Sequence, residues 1–129
     1  MDTQKYISAE VEKLASPFAE HACCNLWTMT SAIIPQLTEA FWAERNPEIR
    51  ANLIYVVWKF RQKSTAPFLI EAMDDVHDQV WMNALDGLIS IGGEDVTKRL
   101  IEFMTTLNPD DIRGAWVMEA IEQISEAAE

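Results

Sequence analysis

Two short stretches of the sequence hold the residue types that most often do chemistry. The first is HACC, His21 to Cys24, which would suit a thiol nucleophile activated by an imidazole. Successive residues on a helix point about 100° apart, so Cys23 and Cys24 cannot both face His21. No nearby carboxylate is placed to orient the imidazole. We therefore predict a helix-packing segment with no catalytic residue.

The second stretch is MDDVHD, residues 73–78, which crowds three carboxylates and His77 into one turn. Oxygen donors and an imidazole can converge on a divalent metal in such a loop. However, aspartate is also an ordinary capping residue at helix ends, and no second His or Cys lies nearby in the sequence. We predict neither a metal site nor a cofactor.

The charge of the chain is concentrated in its second half. Residues 1–63 hold seven acidic and seven basic residues, whereas residues 64–129 hold fourteen acidic and three basic ones. The net charge of −11 therefore comes from the second half. Such a surface repels nucleic acid and anionic membranes and favours basic proteins. Simple solubility of a Trp-rich chain is an equally open explanation.

The compartment is predicted from what the sequence does not contain. No run approaches the roughly 20 apolar residues of a membrane span, and the first 15 residues are too charged for a signal peptide. Two adjacent cysteines do not make a disulfide framework. We expect a cytoplasmic protein.

Helix signals dominate the rest of the chain. Asn46-Pro47 and Asn108-Pro109 each read as an N-cap followed by proline at the first helical position, and Gly92-Gly93 reads as a helix stop. Apolar residues then recur three and four positions apart, as in Ile49 and Leu53. The pattern predicts an all-α fold of amphipathic helices.

These helices repeat. Shifting the chain by 31 or 32 residues superimposes leucines at 37, 69 and 100 and glutamates at 39, 71 and 102. A two-helix unit of this length cannot bury its apolar face alone, so copies stack and cover each other. We predict one domain over 1–129, with an N-terminal helix over about 3–15, repeats over about 18–45, 47–75 and 77–106, and a closing helix over about 109–126.

The stretch DDVHDQVWMNALDGLISIGGEDVTKRLIEFM, residues 74–104, resembles HEAT-like repeats of the short, phycobilisome-lyase type. The resemblance implies a short right-handed α-solenoid of helical hairpins, with about seven or eight helices. In that family an arginine usually follows the valine of this motif, as Arg50 and Arg113 follow an isoleucine, whereas the middle repeat has Trp81.

The three matched glutamates are the main binding candidate. In HEAT-like stacks the second helices line the concave surface, so the resemblance implies an acidic row there, with Trp42 and Phe68 about one turn away. This row would suit a basic, partly apolar segment of a partner. An ordinary solvated helix face is the alternative.

Trp81 is the second candidate. Its column holds arginine elsewhere, which predicts an edge position that faces solvent, where a Trp would be an interface anchor. Alternatively, its ring folds over a neighbouring helix beside Arg50 or Arg113. Trp27, Trp58 and Trp116 fall on apolar stripes and are predicted to lie in the core.

Together these features predict a non-enzymatic protein–protein interaction module. Its acidic concave face would bind a basic partner protein, such as a toxin or nuclease that it inhibits as an immunity protein. An adaptor or structural subunit is the alternative. A glycosylase needs a basic groove, and a phycobilin lyase would lack an identifiable acid–base pair. The predicted contact residues are Glu39, Trp42, Phe68, Glu71, Asp74, Asp75, Asp78, Trp81 and Glu102.

Overall fold

The computed structural model describes residues 3–15 and 19–128. In this part of the chain there are eight α-helices and no strand, so the predicted all-α class is confirmed. The helices are α1 (Thr3–Glu12), α2 (Ala19–Trp27), α3 (Ile34–Ala43), α4 (Pro47–Lys59), α5 (Ala66–Ala72), α6 (Asp78–Ile91), α7 (Glu94–Thr105) and α8 (Arg113–Ala128). Short 3₁₀ turns lie at Lys13–Ala15, Ser31–Ile33 and Lys63–Thr65.

The start of α4 follows the predicted capping pattern. The Asn46 Oδ1 accepts a hydrogen bond from the backbone N–H of Glu48 at 2.9 Å, and Pro47 is the first helical residue. The side-chain oxygen satisfies a donor that has no partner within the helix, and proline has no N–H to satisfy.

The start predicted for α8 at Asn108-Pro109 is wrong, because the helix begins at Arg113. NPDDIR has one residue more than NPEIR, and the extra length forms a turn in which the Asp111 N–H donates to the Asn108 carbonyl at 2.9 Å. The Asp111 carboxylate then accepts from the backbone N–H of Arg113 at 3.0 Å. Asp111 therefore caps the approach to this helix in place of Asn108.

The helices form two layers. Helices α2, α4, α6 and α8 pack one against the next in the first layer. Helices α3, α5 and α7 form the second layer, where α3 touches α5 through aromatic rings and α5 packs against α7. Each second-layer helix also packs against the first-layer helix that follows it, giving the pairs α3/α4, α5/α6 and α7/α8. This is the architecture of an α-solenoid built from helical hairpins.

The repeated leucines occupy equivalent interior positions, as predicted. Leu37, Leu69 and Leu100 are each fully buried between the layers. In the first layer α4 and α6 approach closely where Trp58 packs on Gly87. A Cβ added at Gly87 would lie 2.6 Å from the Trp58 Cβ and Cγ, so only glycine fits there.

The turn between α6 and α7 depends on glycine conformation. Gly92 and Gly93 have φ of 64° and 94°, a region that residues with a Cβ seldom adopt. The Gly92 N–H donates to the Leu88 carbonyl at 2.9 Å and closes α6. The predicted stop at this pair is therefore correct.

Within the described ranges, no helix combines the length and apolar character needed to cross a membrane.

Candidate functional site

The three matched glutamates all point away from the core. Glu39, Glu71 and Glu102 are exposed on α3, α5 and α7. Each follows a buried leucine by two residues, which places it about 200° around its helix from the interior. The side chains therefore share the outer side of the second layer.

Two aromatic rings lie between the first two of these glutamates. Trp42 is 52% exposed and meets the half-buried Phe68 edge-on, with ring centroids 5.9 Å apart. Glu39 precedes Trp42 by three residues on α3, and Glu71 follows Phe68 by three residues on α5. Residues three apart are neighbours on a helix surface, so each ring has a carboxylate beside it. We call Glu39, Trp42, Phe68 and Glu71 the acidic-aromatic patch.

The base of this patch is packed by a buried ring and an arginine. The Phe41 ring lies against both of these rings, with centroids 4.9 Å from Trp42 and 5.3 Å from Phe68. The Arg50 guanidinium covers Phe41 at 4.0 Å from its centroid. The patch is thus held by packing across α3, α4 and α5, which limits the conformational entropy lost on binding.

A neighbouring cleft adds another predicted residue. It has a volume of about 480 Å³ and is lined by Ile70, Glu71, Asp74, Phe103 and Thr106. The cleft brings Glu71 and Asp74 together between α5 and α7, whereas Glu102 is not part of its lining. Asp74 also adds to the negative charge near Arg113, whose pKa is raised mainly by its hydrogen bond to Asp111.

Asp75 has a structural role. Its Oδ2 accepts from Arg50 Nη2 at 2.7 Å, and its Oδ1 accepts from the backbone N–H of His77 at 2.9 Å. Partial burial acts to raise the pKa of Asp75, but hydrogen bonds from His77 and Arg50, with the charge of Arg50, hold it below its ordinary value. Both carboxylate oxygens are thus hydrogen-bonded within the chain, which disfavours Asp75 among the predicted contact residues.

The expectation that Trp81 faces solvent is wrong. Its side chain is 2% exposed, and its indole N–H donates to Asp78 Oδ1 at 3.1 Å. Its ring meets Trp116 edge-on, with centroids 6.2 Å apart. Trp81 does fold over a neighbouring helix, where it meets Trp116 of α8. Asp78 is exposed, and part of its accepting capacity is used by this bond.

The positions equivalent to Trp81 in the other repeats, Arg50 and Arg113, explain this error. Arg50 Nη1 donates to the carbonyls of Phe41 and Glu44 at 2.8 and 2.9 Å, and Arg113 Nη1 donates to the Met73 carbonyl at 2.8 Å. Both guanidinium groups thus satisfy carbonyls at the ends of second-layer helices. These positions point into the stack, and Trp81 fills the same inward position.

The other tryptophans differ from one another. Trp58 is buried as predicted, and Trp27 is half-buried. Trp116 was predicted to lie in the core, but it is 43% exposed. Trp116 belongs to α8. Among the described residues, α6 is the one first-layer helix that packs closely against α8, so one side of α8 is left uncovered.

The cysteines are placed differently from each other. Cys23 is buried, and burial followed by the nearby Cys24 and Glu20 raises its pKa to about 11. Cys24 and His21 are exposed. A thiol with so high a pKa is rarely a thiolate and is a poor nucleophile. Among residues 3–15 and 19–128, no three His, Cys, Asp or Glu side chains are grouped to hold a metal.

An apolar cleft between α7 and α8 was not anticipated from the sequence. It has a volume of about 490 Å³ and is lined by Ile101, Met104, Thr105, Met118, Ile121 and Glu122. The sequence did contain a signal for this cleft. Apolar residues lie three apart on each helix, Ile101 and Met104 on α7 and Met118 and Ile121 on α8, and such pairs on adjacent helices can face the same cleft. Ile101 and Met118 are about half exposed, so the packing of α7 on α8 leaves much of both side chains uncovered.

The sequence was compared with known families, curated proteins and solved structures. A family model described as HEAT repeats matches residues 34–121, from the start of α3 into α8. Neither the curated proteins nor the solved structures gave a match. HEAT repeats are generally protein-interaction modules and are typically not enzymes. Because the match covers well over half of the 129 residues, the chain belongs to the HEAT repeat family, as the sequence predicted.

Proposed function

We propose that this chain is a non-enzymatic binding module whose acidic-aromatic patch binds a basic segment of a partner protein. One observation carries the proposal: the exposed Trp42 ring is packed against Phe68, with exposed carboxylates of Glu39 and Glu71 beside the pair. A large exposed aromatic on a preorganised base is typical of a binding hot spot.

The chemistry of the patch favours arginine or lysine in the partner. The face of Trp42 attracts a cation through its ring electrons, and the carboxylates of Glu39 and Glu71 can accept charge-assisted hydrogen bonds. Arginine suits both contacts, because its planar group stacks on aromatic rings and pairs with carboxylates in a fork. The neighbouring cleft with Asp74 extends the negative surface along α5.

The partner we infer is a basic toxin or nuclease in the cytoplasm, which this chain would inhibit. Support comes from the fourteen acidic against three basic residues in 64–129. Complementary fields speed encounter and reject partners of the wrong charge, which suits an acidic inhibitor. The negative surface also argues against nucleic acid or anionic lipid as a ligand.

The test compares two charge-matched double variants as baits for affinity capture from host lysate. Glu39→Lys with Glu71→Lys changes the patch, whereas Glu12→Lys with Glu126→Lys reverses two exposed glutamates on α1 and α8. Proteins captured by the unmodified chain at about 50 mM salt are identified by mass spectrometry and purified for binding measurements.

We expect a basic partner whose affinity falls about tenfold or more in the patch variant and less than about threefold in the control. Affinity should also fall as salt rises, because the contacts are ionic and exposed. Equal losses in the two variants would show a general charge effect and reject the patch. For the inhibitor role, the purified partner must have an activity that stoichiometric addition of the chain abolishes.

A further inference from the structure

The α7/α8 pair leaves an apolar surface open in the described part of the chain. Ile101 on α7 and Met118 on α8 are 50% and 56% exposed, and the partly buried Met104 and Ile121 lie beside them. These four residues line the cleft of about 490 Å³ described above. We call them the end cleft. An exposed apolar cleft of this kind on a soluble domain usually marks a contact surface.

The repeat shows what normally covers these positions. The residues equivalent to Met104 are Phe41 and Met73, and both are fully buried. Phe41 is covered by Phe68 from the next pair, with ring centroids 5.3 Å apart. Likewise Ile70, the equivalent of Ile101, is half-buried and lines a cleft with Phe103 of α7. In the earlier pairs a helix of the next pair therefore covers the position that remains open at the end cleft.

Most charges around the end cleft are negative, and the exception is Lys98, one turn before Ile101 on α7, which lines the adjoining cleft with Ile124 and Ser125. Glu122 lines it, and Glu102 follows Ile101 directly on α7. On α8 the further charged side chains are Glu119, Glu126 and Arg113, and Arg113 already binds Asp111 and the Met73 carbonyl. The surface thus combines an apolar floor with a border that is acidic except at Lys98.

We propose that the end cleft binds an amphipathic helix of a partner protein, in which lysine or arginine residues flank the apolar stripe. The apolar stripe takes the place that the next helical pair occupies in the earlier repeats, and the basic residues meet Glu122 and Glu102. A second copy of this chain fits less well, because joining two end clefts brings the same carboxylates together on chains of net charge −11.

The probes are two designed helical peptides with the same leucine stripe, one flanked by lysine and the other by glutamate. Fluorescence anisotropy of labelled peptide measures binding to the full chain at about 50 mM salt. We expect the lysine peptide to bind at least about tenfold more tightly than the glutamate peptide.

A pair of double variants locates the binding. Ile101→Ser with Met118→Ser removes exposed apolar side chains of the end cleft, whereas Val76→Ser with Ile112→Ser removes exposed apolar side chains outside it. We expect a loss of about tenfold or more in the first variant and less than about threefold in the second. Far-ultraviolet circular dichroism checks that both variants keep their helix content.

Three results would overturn the proposal. They are equal binding of the two peptides, equal loss in the two double variants, and a concentration-dependent dimer in analytical ultracentrifugation that the Ile101→Ser and Met118→Ser changes abolish. This test is independent of the acidic-aromatic patch. The Glu39→Lys and Glu71→Lys double variant, which changes that patch, should keep its affinity for the lysine peptide at the end cleft within about threefold.

Discussion

Arg50 and Asp75 join parts of the stack that lie 25 residues apart. The Arg50 Nη2 is 2.7 Å from Asp75 Oδ2, and both side chains are largely buried. The same guanidinium reaches the carbonyls at the end of α3. One side chain of α4 therefore connects α3 with the turn that follows α5.

Replacing Asp75 by Asn should lower the free energy of unfolding by about 2 kcal/mol, since it removes a largely buried, charge-assisted hydrogen bond. The control is Asp95→Asn, which breaks the exposed Asp95–Arg99 pair of 3.0 Å. That change should cost less than about 0.5 kcal/mol. Urea unfolding followed by circular dichroism measures both. Similar losses in the two variants would contradict the role assigned to Asp75.

The contribution of Asp75 should depend on pH in one direction. Its folded-state pKa is lowered, so its stabilisation is fully present above the unfolded pKa of about 4 and is lost as pH falls through the folded pKa. The gap in unfolding free energy between the unmodified chain and Asp75→Asn should therefore shrink below about pH 4. Urea titrations from pH 7 down to pH 3 check this. A gap that stays constant would show that ionisation of Asp75 is unimportant.

Gly87→Ala should destabilise the fold by about 1–3 kcal/mol, because the new Cβ would lie 2.6 Å from Trp58 Cβ. Gly114→Ala is the matched control, since a Cβ there meets nothing within 4 Å. On α8 it should stabilise by up to about 1 kcal/mol through helix propensity. Thermal unfolding midpoints should thus move in opposite directions. Shifts in the same direction would refute the close contact of α4 and α6.

The two cysteines should react at very different rates. At pH 8 a thiol with a pKa of about 11 is a thiolate roughly one time in a thousand, and Cys23 is also buried. We expect Ellman's reagent to titrate one thiol quickly in the folded chain and the other only on unfolding. Cys24→Ser should remove the fast phase, and Cys23→Ser should leave it. A fast phase that survives Cys24→Ser would show that Cys23 is accessible.

Acrylamide should quench the exposed tryptophans selectively. Trp42 and Trp116 are 52% and 43% exposed, whereas Trp81 is 2% exposed. Trp42→Phe and Trp116→Phe should each lower the quenchable share of the fluorescence. Trp81→Phe should instead raise that share, because it removes a protected emitter. A fall after Trp81→Phe would contradict its burial.

Much of the fold was predictable because its signals are local or periodic. Asn46-Pro47 caps α4 through a contact two residues away, and Leu37, Leu69 and Leu100 are interior because stacking repeats bury equivalent positions. The start of α8 was missed because one extra residue lets Asp111 replace Asn108 as the cap. A single insertion thus changes capping geometry without disturbing the period of the apolar residues.

The candidate site was predictable only in part. The exposure of Glu39 and Glu71 follows from their spacing from a buried leucine. The engagement of Asp75 depends on Arg50, which lies 25 residues away, and no local pattern reports such a contact. The direction of the Arg50 and Arg113 side chains was predicted wrongly. A long side chain can reach either solvent or a helix end, and the position of the residue in the repeat does not show which of the two it reaches.

Arg113 donates to the Met73 carbonyl, so the first residue of α8 is hydrogen-bonded to the end of α5, three helices earlier in the chain. Terminal units of a linear array ordinarily fray first, since each has one neighbour. Here fraying of α8 also has to break this cross-link. We therefore expect the backbone amides of α8 to exchange with deuterium about as slowly as those of α5, and to lose that protection in Arg113→Ala.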